Sequence, residues 1–140
     1  MAGTVYNVEL IQKRALFESI TRTTLKDCFE NQGKILFIVM PGQIKRALGK
    51  DNVHVQHVEK KIGTKIKIVE YSQNVLQFVT NIIYPLRIND INMNDAGIIT
   101  IKGKDMKTNG LIIGARAQNL RNTESIVKKY FPNVVELKVV

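Results

Sequence analysis

Two short stretches combine glycine with charge in a way that suits anion chemistry: Gly49-Lys50-Asp51-Asn52 and Gly114-Ala115-Arg116-Ala117. Each lies between segments of helical periodicity. Where two helices meet at a tight glycine turn, backbone N–H groups and the positive end of the second helix face outward, and both favour a phosphate. Other chemistries fit less well. Gly42 through Lys50 invites comparison with a nucleotide P-loop, but the gap from Gly42 to Gly49 is too long and Asp51 stands where Ser or Thr should bind magnesium. His54 and His57 fall one helical turn apart, yet no third metal ligand is evident, so they read as solvent-facing or groove-lining. Cys28 is the only cysteine, which excludes an intrachain disulfide; it reads as a buried, inert thiol. No Ser-His-Asp order or paired-carboxylate pattern stands out. The expectation is a binding protein, not an enzyme, with no cofactor, no metal and no small-molecule substrate.

The elements that must position these loops follow from periodicity. Asn7 to Ile20 lacks Gly and Pro and carries Val8, Ile11, Ala15 and Leu16 near helical spacing, predicting a helix with that apolar face. Leu25–Glu30 and Lys34–Met40 are β-prone runs joined by Asn31-Gln32-Gly33, a hairpin signal, and the second run is apolar enough to be buried on both faces. A short helix over Gln43–Leu48, the Gly49 turn, a helix over Val53–Ile62 and a strand over Lys65–Tyr71 complete the set. The same order then restarts: a helix over Asn74–Tyr84 ended by Pro85, strands over Arg87–Met93 and Gly97–Gly103, a short helix over Lys107–Ile113, the Gly114 turn, and a long helix over Gln118–Phe131. A last strand, Val134–Val140, is predicted with Val135, Leu137 and Val139 inward.

Charge respects this repeat. From Pro41 to Lys67 there are seven basic residues against Asp51 and Glu59; from Lys102 to Lys129 there are seven against Asp105 and Glu124. Each segment is therefore +5 within a chain of +9, and the remainder is slightly acidic. Clustering of this kind points to a polyanion partner. Lys60-Lys61 and Lys128-Lys129 are explained by the negative ends of their helices and stay outside the predicted site.

A glycine loop between two helices, clamping about four nucleotides of single-stranded backbone, is the device of the KH module. The reading is therefore an α+β chain of two tandem type II KH domains, residues 1–72 and 73–140, each helix-strand-strand-helix-helix-strand, packed as one rigid unit. Candidate RNA-binding residues are Lys45, Arg46, Gly49, Lys50, Asp51 and Asn52 in the first copy. In the second they are Lys104, Lys107, Gly114, Ala115, Arg116, Ala117, Asn119 and Arg121. The second loop, with Arg116, Asn119 and Arg121, is expected to carry more of the grip, since Asp51 places a negative charge in the first. Tyr6, Tyr71, Tyr84 and Tyr130 could stack on bases, although Tyr130 beside Phe131 reads better as core or rim.

Nearly the whole chain resembles the archaeal NusA-like transcription factors. The resemblance rests on Arg14-Ala15-Leu16-Phe17-Glu18-Ser19-Ile20-Thr21 with Thr24 and Asp27-Cys28, on Ala47-Leu48-Gly49-Lys50, on Lys65 through Ser72, and on Ile112-Ile113-Gly114 with Asn119-Leu120. It implies single-stranded RNA as partner, RNA polymerase as a second partner, and a role in transcription elongation, termination or antitermination. The family's loops carry a second glycine where this chain has Asn52 and Ala117. No apolar run approaches the roughly 20 residues of a membrane span, and Met1 through Asn7 lacks the features of a signal peptide, so a cytoplasmic location is expected.

Overall fold

In a computed structural model, which describes residues 8–140, the chain divides into two compact units, Met1–Ser72 and Gln73–Val140. Tyr6 and Asn7 lie outside the described residues. The first unit runs α1 (Val8–Thr21), β1 (Leu25–Asn31), β2 (Lys34–Val39), α2 (Ile44–Leu48), α3 (Val53–Ile62) and β3 (Ile66–Glu70). The second runs α4 (Val75–Ile83), β4 (Ile88–Met93), β5 (Ile98–Gly103), α5 (Met106–Ile113), α6 (Gln118–Tyr130) and β6 (Glu136–Val139). Each has a three-stranded sheet, β1-β2-β3 or β4-β5-β6, in which the first pair is antiparallel and the second parallel. Even the irregularity repeats, as the register shifts between Leu25 and Asp27 and again between Ile88 and Asp90.

Local sequence accounts for these elements. Gln32 and Gly33 both take positive φ, 51° and 76°, which matches the two-residue turn that suits the twist of paired strands. Along β2, Ile35 through Val39 are all buried, as a central strand covered on both faces requires. Asn74 caps α4, its side-chain oxygen accepting from the amides of Leu76 at 3.0 Å and Gln77 at 3.2 Å.

Each unit has its own aromatic anchor. Phe17 of α1 stacks on Phe37 of β2 with ring centroids 4.2 Å apart, in a core that includes Cys28, Val58 and Ile66. In the second unit Phe78 of α4 meets Tyr130 edge-on at 5.7 Å and Phe131 at 5.9 Å. Tyr130 is thus part of the packing around Phe78, whereas Tyr84 is exposed and Tyr71 lies under Lys26 at 4.8 Å.

Two predicted faces are corrected. Val8 and Ile11 are 71% and 51% exposed and Ala15 is exposed too, while α1 buries Phe17 and Thr21 with Leu10 and Ile20 against the core. Burial of the largest apolar side chain sets the helix rotation, and Arg14 fastens it by donating to the Leu25 carbonyl at 2.8 Å. Val135 is 57% exposed and Val134 is buried instead. The chain turns before β6, with the Val134 amide bonded to the Phe131 carbonyl at 3.0 Å, so strand alternation begins only at Glu136. No helix of the described residues is long and apolar enough to cross a membrane.

Candidate nucleic-acid interface

The two glycine loops share one backbone conformation. Gly49 has φ 72° and ψ 175°, and Gly114 has φ 74° and ψ 173°, a region essentially confined to glycine. Two residues later Asp51 and Arg116 are left-handed at φ 55° in both, followed by Asn52 and Ala117, each left-handed at φ 59°. The Asn52 amide bonds to the Gly49 carbonyl and the Ala117 amide to the Gly114 carbonyl, both at 3.2 Å. The positions where family loops carry a second glycine therefore keep the left-handed geometry. Asn tolerates it through its short polar side chain, and Ala does so at roughly 1–2 kcal/mol.

Both loops open onto a helix without a side-chain cap. Asn52 and Ala117 sit at the N-caps of α3 and α6, and neither makes a capping hydrogen bond. Helices α4 and α5 differ in this respect. Asn74 caps the first, and Asp105 caps the second by accepting from the Thr108 amide at 2.7 Å. Hydrogen bonds from Thr108, with Lys104 and Lys107 adding to them, hold the Asp105 carboxyl below its ordinary range. The Val53 and Gln118 amides that begin α3 and α6 bond back to the Lys50 and Ala115 carbonyls, so what each exposed helix start offers an anion is the positive end of its dipole.

One side chain in each unit ties the loop to its preceding helix. His54 Nδ1 lies 2.9 Å from the Arg46 carbonyl and 3.3 Å from that of Ala47. Asn119 Nδ2 donates to the Leu111 carbonyl at 3.2 Å. Each residue stands five positions after its loop glycine and reaches back to the carbonyl three positions before it. The pairing is invisible as a motif because His and Asn share no obvious identity; only the spacing from Gly49 and Gly114 signals it.

The predicted cations separate into two groups. Lys45, Arg46, Lys50, Lys104, Lys107 and Arg116 are exposed and, among the described residues, none of them forms an ion pair. Arg121 is engaged: it pairs with Glu124, approaches Glu136 at 3.8 Å and donates to the Leu137 carbonyl at 3.4 Å, holding α6 to β6. Lys65 lies 4.0 Å from Glu59. Ala115 is exposed and adds no polar group. A residue the sequence did not point to is Leu111, 51% exposed, which holds in the second unit the place that the predicted Arg46 holds in the first. Exposed Met106 lies on the same helix as Leu111.

His57 is exposed, and no cluster of three His, Cys, Asp or Glu capable of holding a metal occurs among the described residues. Burial pushes the Cys28 thiol up to about 12. It is a core side chain with no nucleophilic character at neutral pH.

Taken together, the duplicated α+β unit, its sheet with one parallel pair and its glycine turn between helices define a tandem type II KH protein. A solved crystal structure, that of APE1850, matches it with a TM-score of 0.74 over 96% of this chain and 99% of that chain, at 24% identity, which establishes the fold. Curated proteins named probable transcription termination protein NusA match as well. The one from Methanocaldococcus jannaschii is 29% identical over 142 residues, covering 100% of this chain and 77% of its own length. Those from Methanococcus vannielii and Thermoplasma acidophilum are each 30% identical, over 96% and 89% of this chain and 78% and 88% of their own lengths. No family model matches the chain. On these relatives, the chain belongs to the archaeal NusA-like family.

Proposed function

We propose that this chain is a single-stranded RNA-binding transcription factor that grips nascent RNA during elongation, termination or antitermination. The observation that carries the reading is the shared backbone of the two loops, each opening onto an uncapped helix and flanked by unpaired cations. Loop amides and the helix end would receive phosphate oxygens, while Lys50 and Arg116 add charge. Leu111 and Met106 offer apolar surface for bases in the second unit, and Arg46 offers a cation at the matching place in the first. The names of the relatives support a role in transcription termination; RNA polymerase is the further partner that this reading expects. The activity is binding, with no turnover of nucleotide or RNA.

A titration of short fluorescent single-stranded RNA, read by anisotropy across salt, tests the proposal. Four phosphate contacts predict roughly a 50-fold loss of affinity between 50 and 200 mM salt. Absence of binding at low salt supports a second reading instead, a KH-fold module that docks on polymerase or a ribosomal particle. Asp51 in the first loop and the exposed Val8 and Ile11 on α1 are what favour that alternative.

A further inference from the structure

We infer that His54 and Asn119 are equivalent positioning residues, side-chain latches that hold the two glycine loops in their shared backbone conformation. The inference rests on the RNA-binding reading for its consequence, though not for its geometry.

The relation is one of place and of bonding. His54 is five residues past Gly49 and bonds to the carbonyl of Arg46; Asn119 is five past Gly114 and bonds to the carbonyl of Leu111. Arg46 and Leu111 each stand three residues before their glycine, in the last turn of α2 and α5. A carbonyl oxygen can only accept, so the His54 Nδ1 must carry a hydrogen, as the Asn119 amide does. Two unlike side chains thus perform the same donation at the same place.

The latch also explains why the loop glycines cannot carry a side chain. A Cβ on Gly49 would stand 2.9 Å from Cγ and Nδ1 of His54, and one on Gly114 would stand 2.6 Å from the Asn119 amide group. The space above each glycine is filled by the residue that reaches over it. Because that side chain turns back toward the preceding helix, it does not cap its own helix, and no side chain covers the starts of α3 and α6. Loss of the latch frees the glycine turn to close or fray, and a bound strand must then order it at its own expense.

The test combines amide hydrogen exchange of the RNA-free chain with RNA anisotropy on His54→Ala, Asn119→Ala, His54→Asn and Asn119→His. Exchange at the β2 amides for the His54 variants, and at the β5 amides for the Asn119 variants, serves as the control for folding of the unit concerned. Expected for each Ala variant is roughly tenfold faster exchange in its own loop and a three- to tenfold weaker affinity, with protection of the central strand of its own unit intact. His54→Asn, carrying the residue that the second unit uses, restores both readouts to within about twofold. Unchanged loop exchange in both Ala variants overturns the inference, as does a His54→Asn variant no better than His54→Ala. If the unmodified chain binds no RNA, the functional reading fails, while exchange and its rescue by Asn still decide the latch.

Discussion

Asp51 and Arg116 occupy the same backbone conformation, φ 55° with ψ 31° and 32°, at the same place in the two units, with opposite charge. On the proposed RNA-binding reading, one side chain at the loop tip repels a phosphate and the other attracts it. Arg116→Glu is therefore expected to weaken RNA binding by about tenfold or more, and Lys50→Glu by clearly less. Asp51→Arg is expected to tighten binding about threefold and to steepen its salt dependence. An equal or larger loss from Lys50→Glu contradicts the ranking of the loops.

Ala117 holds a left-handed conformation that glycine adopts without cost. Ala117→Gly is expected to stabilise the second unit by about 0.5–1 kcal/mol, part of the relief being offset by the greater freedom of glycine in the unfolded chain. Chemical denaturation followed by circular dichroism measures it. A destabilised variant shows that Ala117 contributes packing that outweighs its strain.

Gly114→Ala combines a forbidden backbone conformation with a Cβ 2.6 Å from Asn119. The second unit is expected to lose about 2–3 kcal/mol, and RNA binding falls with the loop's geometry. Comparing its unfolding midpoint with that of Ala117→Gly sets the two loop positions against each other, one gaining and one losing.

Phe17 and Ile11 lie on opposite sides of the helix rotation that the structure reveals. Phe17→Ala removes a fully buried ring stacked on Phe37 and is expected to cost about 3–5 kcal/mol. Ile11→Ala, at a half-exposed position, is expected to stay within about 0.5 kcal/mol. Equal effects in a urea titration argue against the burial assigned to α1.

Cys28 is shielded from water, and its thiol is raised from 9.0 to about 12 by burial, against the smaller opposing pull of Arg14. At pH 8 the native protein holds roughly a thousandfold less Cys28 thiolate than that unperturbed value allows, so iodoacetamide is expected to label it only after unfolding. The sign for stability follows. The contribution of Cys28 is complete below the unfolded-state pKa and is lost as pH rises toward about 12, because the unfolded thiol ionises first. Rapid labelling of folded protein places the thiol at the surface.

Much of the architecture was legible without coordinates. The unbroken run Ile35–Val39, the Gln32-Gly33 turn and the glycines at 49 and 114 depend on side-chain volume and backbone freedom, which are properties of the residues themselves. The clustering of cations was also readable, since net charge in a segment is a matter of counting. Faces were harder. In α1 several apolar residues compete for the core, and the Phe17–Phe37 stack decided among them. Before β6 a turn at Phe131 to Val134 displaced the alternation by which Val135 had been placed inward.

The amino-acid sequence by itself determined that this protein is a repeated α+β unit with two charged glycine turns. Periodicity, turn chemistry and charge act over a few residues and survive without tertiary context. Only the tertiary structure decided which of those charges are free and what holds the turns. Arg121 is engaged by Glu124 and Glu136, whereas Arg116 is not ion-paired, and His54 and Asn119 close equivalent contacts across two helices. Such relations depend on distances between segments that meet only after folding, and so two unlike residues at positions 54 and 119 could hide one shared role.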